Sequence, residues 1–484
     1  MKKLEILALF LIILGAFSVR LYKFNAPVAD WHSWRQSDTS AVSRNFVKDG
    51  FDVLVPKFDD LSQGVSLIDN PQGYRYVEFP IYNVLQAAGF KYLGYFTIEQ
   101  WGRLVTIFSS LGSIVLLYFL VKRHINITAA LFTAFFFAFI PYSIYYGRTI
   151  LPDQTMVMAI LGGIYFFDLW INTVRLKVYN YRFILALFFT ISALLLKPFA
   201  IFFTIPMIYL SFNKFGWAFI KKWQLWAFLL ISLFPLGFWQ VFMRQHPEGI
   251  PRNDWLFNGN GIRFKGSFFH WLFGERIGQL ILGYFGLPIM VLGILKKVSQ
   301  KEGFIFYAFI LSALSFMTVV ATGNIQHDYY QVLIIPTLAI FLGKGADVVI
   351  KNVGGIFNKY ISLAVFFICV VFMFAFSWFE VRDFYNIQHP EILKAGEAVD
   401  RLTPKDAKVI APYGGDTTLL YHTNRKGWPV FDRDLPDFID QGAKYMLFVN
   451  PTEPELNFEN YFATLSKGDK YIIYDLTKPL KPLE

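Results

Sequence analysis

Charged and hydrogen-bonding side chains fall in short blocks set between long apolar runs, and those blocks are where chemistry is to be sought. The first is Asp30-Trp31-His32-Ser33-Trp34-Arg35-Gln36-Ser37-Asp38-Thr39. Asp38 is expected to open a helix through Ala41, Val42, Phe46 and Val47 that ends at Asp49-Gly50. On that reading Ser37 and Asp38 cap the helix, and Trp31 and Trp34 anchor it at a membrane interface. A carboxylate at such a surface equally suits a general base acting on an acceptor hydroxyl or amine, with Arg35 nearby to hold an anion. The second block, Gly73-Tyr74-Arg75-Tyr76-Val77-Glu78-Phe79-Pro80-Ile81-Tyr82, supplies Arg75 and Glu78. Glu78, just before its proline Pro80, suits a cap or a metal ligand. The stretch 84–93 that follows is amphipathic, too short and polar to span, and suited to lie along the membrane surface.

Three further blocks carry ionisable groups. Tyr146-Gly147-Arg148-Thr149-Ile150-Leu151-Pro152-Asp153-Gln154 places Asp153 at the start of an apolar run. There it favours the positive end of a helix, or acts as a functional carboxylate at a membrane edge. Lys197 interrupts apolar residues on both sides and must snorkel, pair with Asp153 or hold a phosphate. Gly323-Asn324-Ile325-Gln326-His327-Asp328-Tyr329-Tyr330-Gln331 adds a histidine that suits phosphate binding or an ordinary interfacial place, with Tyr329 and Tyr330 beside it.

The elements that position these blocks are membrane helices. Of 484 residues 55% are hydrophobic and only 17% charged, outside soluble usage. The abundance of aromatic residues, 55 Phe and 12 Trp, fits lipid-facing helices and interfacial belts rather than a cofactor box. About eleven runs approach the roughly 20 residues needed to span the hydrocarbon. They lie near 4–21, 101–121, 127–145, 154–171, 183–196, 199–212, 225–242, 277–295, 304–321, 332–350 and 361–379. The fifth and sixth, separated by Lys197-Pro198, also read as one broken element. Lys2-Lys3 gives the first run a basic start, but no small-residue cleavage site follows, so it is expected to be retained.

With the N-terminus cytoplasmic, every inner loop is basic: Lys122/Arg123, Arg175/Lys177/Arg182, Lys214/Lys221/Lys222, Lys296/Lys297/Lys301 and Lys344/Lys351/Lys359. The long loop 22–100, the other acidic blocks and everything after residue 380 then face outward, although the fourth outer loop also contains several arginines. The expected fold is an all-α polytopic bundle, 1–379, with a soluble extracytoplasmic α/β domain at 380–484. In that tail, helices at 391–402 and 435–441 alternate with strands at 408–411, 445–449 and 471–474. Ile410-Ala411-Pro412-Tyr413-Gly414-Gly415-Asp416 follows a strand and reads first as a plain turn, though α/β proteins often bind ligands at such a place.

Several classes are excluded or disfavoured. The net charge of +10 is scattered in short clusters, which speaks against nucleic acid and for membrane topology. The single cysteine, Cys369, permits neither a disulfide framework nor a thiolate metal site. No dinucleotide or Walker spacing points to a nucleotide cofactor.

Taken together, the blocks resemble the GT-C superfamily of membrane glycosyltransferases, in particular glycosyltransferase family 39, with its protein mannosyltransferases and bacterial aminoarabinose transferases. The order Asp38, Glu78-Phe79-Pro80-Ile81-Tyr82, Arg148 through Pro152-Asp153, Leu196-Lys197-Pro198 and His327-Asp328-Tyr329-Tyr330 carries the resemblance over about the first 350 residues. The tail, with Leu419-Leu420-Tyr421 and Arg425-Lys426-Gly427-Trp428, also looks like the domain appended to some bacterial members.

The resemblance implies Asp38 as catalytic base, with Asp153 matching a second acid. A divalent cation on Glu78 and Asp153 is a further implication, without a compact ligand motif behind it. It implies a polyprenyl-phosphate sugar as donor, its phosphate held by some of Arg35, Arg75, Lys197 and His327. The same binding surface is expected to draw on Arg148, Tyr329 and Tyr330. The acceptor is an extracytoplasmic protein, lipid or cell-envelope glycan, and transfer inverts the anomeric centre. Thr39 replaces the usual Glu of an Asp-Glu pair, which leaves the loop less acidic. Phe79 replaces a phosphate-binding Lys, which argues against aminoarabinose as the sugar.

Two rival classes differ in what they require. A transporter or flippase should carry polar or broken helices at the membrane midplane. A membrane-anchored binding protein would work through its tail alone, and Asp38 and Asp153 would be dispensable.

Overall fold

The structure, a computed structural model, describes residues 3–351 and 358–481. Lys2 and residues 482–484 of the expected tail domain lie outside the described residues. Each of the eleven apolar runs is helical. By length and composition six described helices suffice to cross a membrane: Ile98–His124, Asp153–Ile171, Pro198–Lys221, Trp223–Met243, Asp328–Lys351 and Lys359–Tyr385. Gly266–Ile281 and Gly286–Leu295, bent by 112°, raise the count to seven if they form one span. Ile127–Phe139, Tyr181–Leu196 and Ile305–Val319 are apolar but shorter. The chain is thus a multi-pass membrane protein.

The chain divides into two compact units. One comprises Met1–Phe24, Arg103–Trp239 and Asn253–Phe384; the other comprises Asn25–Gly102, Gln240–Arg252 and Tyr385–Glu484. The first is the helical bundle. Its helices start where local chemistry permits: the Asn126 side chain accepts from the Ala129 amide at 3.0 Å, and Asn180 accepts from Arg182 at 2.9 Å. Helices Gly286–Leu295 and Ile335–Lys351 approach so closely that a Cβ on Gly293 would collide with the Phe341 carbonyl, and one on Gly345 with that of Ile289. Lipid gives apolar helices no hydrophobic reason to associate, so such close backbone packing supplies the contact. Two buried acids of the bundle are paired with buried or half-buried lysines. Glu5 accepts from Tyr118 and Lys122, and Glu302 accepts from Lys344.

The second unit is built on a five-stranded sheet. Its strands are β1 (Lys408–Ile410), β2 (Lys426–Trp428), β3 (Ala443–Val449), β4 (Phe462–Gly468) and β5 (Tyr471–Pro479), in the order β2-β1-β3-β5-β4. β1 runs parallel to both neighbours, and β5 is antiparallel to β3 and β4. Helices Glu391–Leu402 and Thr418–Thr423 bury Ile392, Val399, Leu419 and Leu420 against one apolar cluster with Val409, Leu447 and Ile473. A second cluster joins Ile410, Trp428, Phe438 and Met446 with Leu61, a residue of the long first loop. The loop also extends the sheet edge: Gly427 donates to the Asp59 carbonyl at 2.9 Å, and Leu61 donates to the Gly427 carbonyl at 2.8 Å. The loop 25–102 and the tail therefore share one core.

Candidate functional site

In the second unit, helix Ser33–Asp49 starts five residues before Asp38, at His32 with φ 55, and no side chain caps it. The expectation that Ser37 and Asp38 cap this helix is corrected accordingly: Asp38 lies inside it and uses its oxygens elsewhere. Its Oδ2 accepts from Arg75 Nη2 at 2.6 Å, and its Oδ1 accepts from the Thr417 hydroxyl at 2.7 Å. Asp38 is 4% exposed. Arg35, nearly one turn earlier on the helix, donates to both oxygens of Glu78 at 2.7 Å. The chain reaches Glu78 along the segment that carries Arg75, whose amide donates to the Pro56 carbonyl at 2.9 Å. Pro80 then opens helix Ile81–Ala88, so Glu78 is an ion-pair partner rather than a cap. Asn83 of that helix donates to the Thr39 carbonyl at 2.7 Å and fixes the two helices. Arg35, Asp38, Arg75 and Glu78 face one small cavity of about 10 Å³, near the volume one water needs.

Two more carboxylates stand in the field of Asp38. Burial pushes Asp60 up to about 6 against hydrogen bonds from Ser62, and the Asp38 charge adds to the rise. Burial likewise raises Asp416, with Asp38 again contributing and Thr418 opposing. The Arg75 guanidinium places the opposite charge against Asp38 among these acids. Asp60, Asp416 and Thr417 escape a reading of the sequence. The one signal for the last two was the Gly414-Gly415 turn after β1, where both glycines adopt positive φ and the chain turns back toward helix Ser33–Asp49.

In the first unit, Asp153 is the first residue of helix Asp153–Ile171 and is 2% exposed. Its Oδ1 accepts from Lys197 Nζ at 2.7 Å, while Oδ2 is buried with no hydrogen-bond partner among the described residues. Lys197 is extended, between helix Tyr181–Leu196 and the tight turns starting at Pro198. It is 7% exposed, so pairing wins over snorkelling. Its ammonium sits 5.3 Å and 5.6 Å from the ring centres of Tyr329 and Tyr330. His327 stacks on both tyrosines at 5.4 Å and 6.2 Å. Asp328 accepts from Tyr146 at 2.6 Å and stands 3.9 Å from Arg276. Arg148 donates to the Lys23 carbonyl at 3.0 Å and lies over Tyr145, contacts that hold the chain in place.

The expected residues therefore form two constellations: Arg35, Asp38, Arg75 and Glu78 in one unit, and Asp153, Lys197, His327, Tyr329 and Tyr330 in the other. Glu78 and Asp153 each already hold a cation, Arg35 or Lys197. No group of three His, Cys, Asp and Glu side chains among the described residues gathers to hold a metal ion. As they stand, these residues do not present a ligand set.

Residues 80–239 match the family model described as dolichyl-phosphate-mannose-protein mannosyltransferase. That span holds Arg148, Asp153 and Lys197 but not Asp38 or His327. No curated protein matches the chain. Among solved structures, ArnT from Cupriavidus metallidurans bound to undecaprenyl phosphate is similar with a TM-score of 0.66 at 13% identity, covering 98% of each chain. The oligosaccharyltransferase of Archaeoglobus fulgidus in its apo form is similar with a TM-score of 0.62 at 11% identity, covering 96% of this chain and 73% of that one. The archaeal oligosaccharyltransferase AglB from the same organism, in complex with an inhibitory peptide and a dolichol-phosphate, gives 0.60 at 11% identity, covering 96% and 73%.

Proposed function

We propose that this chain, a member of the GT-C superfamily by fold, transfers a sugar from a polyprenyl-phosphate carrier to an acceptor outside the cytoplasm. The observation that carries the reading is Asp38: a buried carboxylate held in one orientation by Arg75 and Thr417, facing a small polar cavity with Arg35 and Glu78. Such a group has the fixed geometry that proton abstraction needs. The family match over 80–239 and the fold shared with ArnT and AglB support a lipid-linked donor.

In this reading an acceptor hydroxyl or amine gives its proton to Asp38 as it attacks C1 of the sugar. The C1–oxygen bond breaks, and polyprenyl phosphate leaves with the electron pair. Attack opposite the leaving group inverts the anomeric centre. The phosphate is held by charge-assisted hydrogen bonds from some of these basic side chains, either Arg35 and Arg75 or Lys197 and His327. Lys197 does so only by sharing its ammonium between Asp153 and the phosphate. The N-terminus is assigned to the cytoplasm and the residues after 380 to the outside, on the basic loops.

The test uses the full-length protein in proteoliposomes with a radiolabelled polyprenyl-phosphate hexose and an extract of cell-envelope acceptors. Label moving to the acceptor, with none from the nucleotide sugar, is the expected result. Label that crosses the bilayer still attached to its lipid marks the protein as a transporter instead.

A further inference from the structure

Asp153 and Lys197 lie at one end of helix Asp153–Ile171, and the other end carries a second polar pocket that the transfer reading does not use. Its volume is about 320 Å³. Arg123 and His124 from the last turn of Ile98–His124, Lys214 from the last turn of Ile205–Phe215, and Lys301 line it, with Asp168 and Glu302. An adjoining pocket of about 450 Å³ shares Asn172 and Lys214, adds Arg175 and Lys222, and has no acidic residue.

Basic residues at helix C-termini have an ordinary explanation, because they offset the negative end of the helix dipole and suit a cytoplasmic loop. Two features exceed it. Both acids are already neutralised: Asp168 takes Arg123 at 2.5 Å and His124 at 3.0 Å, and Glu302 takes Lys344 at 2.5 Å. Lys214, at a helix end, and Lys301, in a turn, line the same concavity, and the side chain of neither has an ion pair, hydrogen bond or ring contact among the described residues. Arg123 binds Asp168 through Nε, which leaves the rest of its guanidinium to donate elsewhere. Like charges from separate elements around one cavity repel unless an anion joins them.

We propose that this pocket binds a phosphate group, with Lys214, Lys301 and Arg123 as its ligands, at the membrane face opposite Asp153. The phosphate belongs either to the headgroup of an anionic phospholipid or to a soluble phosphate compound. The assignment is independent of the transferase reading.

The experiment reconstitutes the full chain in nanodiscs of equal phosphatidylglycerol and phosphatidylcholine and counts retained lipids by native mass spectrometry, with and without inorganic phosphate. Lys214→Gln/Lys301→Gln is compared with Lys297→Gln/Lys359→Gln, which removes the same charge from positions outside the pocket. Preferential retention of phosphatidylglycerol, reduced about tenfold or more by the pocket pair but not by the control pair, supports the lipid source. Phosphate binding that the pocket pair abolishes, without lipid preference, supports the soluble source. Retention and phosphate binding that are absent, or that respond equally to both pairs, overturn the proposal. Unchanged thermal midpoints show that the variants are folded.

Discussion

Asp38 and Asp153 are both buried acids paired with a cation, yet their surroundings differ. Asp38 is held at both oxygens, by Arg75 from its own loop and by Thr417 from the distant tail. Asp153 is held at one, by Lys197, and its Oδ2 has no hydrogen-bond partner among the described residues. The first is oriented by groups far apart in sequence. The second depends on a single lysine set in an extended break between helices and flanked by Tyr329 and Tyr330. The difference matches the roles proposed above, with Asp38 as the fixed base and Lys197 as the charge shared between Asp153 and a phosphate.

The largest effect should come from Asp38→Asn. The amide keeps the shape and can still accept from Arg75 but cannot take the acceptor proton, so the transfer rate should fall about 100- to 10,000-fold. Asp153→Asn should lose clearly less while weakening donor binding. Purified variants compared in the proteoliposome assay decide the ranking, and a larger loss at Asp153 would reverse the two roles.

Lys197→Met tests the dependence on a single lysine. It strands the Asp153 carboxylate in a buried place, which costs about 3–5 kcal/mol of stability. The double variant Lys197→Met/Asp153→Asn should recover most of it. A thermal midpoint for the single variant equal to wild type would show that the pair is not sequestered.

Asp60 sharpens the comparison through pH. Its carboxyl keeps its proton up to about 6 in the folded chain, against 3.8 as its ordinary value. The protonated form is thus favoured by folding. Its contribution is full below about pH 4 and is lost as pH rises through 6, a change of about 3 kcal/mol for a shift of roughly two units. Asp60→Asn should flatten the dependence of the unfolding midpoint between pH 4 and 7 and raise it above pH 6. An unaltered pH profile would remove Asp60 from the carboxylate cluster.

The smallest effect is expected at Thr417→Val, which deletes the hydrogen bond to Asp38 at nearly constant volume. A bond to a charged group contributes about 1.5–3 kcal/mol, of which only the part that orients Asp38 bears on the rate, so kcat should fall by at most about 10- to 150-fold, with KM for the donor little changed. Thr417→Ser should restore it. Equal activity of the Val and Ser variants would show that the tail does not orient Asp38.

Long apolar runs determine membrane helices by themselves, because a bilayer leaves backbone polar groups no partner outside a helix. All eleven runs are helical for that reason, although by length and composition only six described helices, or seven with the bent pair, suffice to span; the helix Glu391–Leu402 and three of the five strands were also legible. β2 and β4 escaped because three residues with one glycine, or a strand half exposed at a sheet edge, carry little periodic signal. The ionisable groups themselves were legible, since Asp38, Asp153 and Lys197 each interrupt an otherwise apolar or helical context at a cost that requires explanation. Their partners were not. Arg75 and Thr417 reach Asp38 across 37 and 379 residues of sequence, and Leu61 enters the core of the tail's sheet. Hydrogen bonds and apolar contacts between segments that distant depend on how the chain returns on itself, and no local pattern encodes that. Composition and spacing determined that the chain spans a membrane and which acids and bases it offers; only the tertiary structure decided which cation each acid holds and that the first loop and the tail share one core.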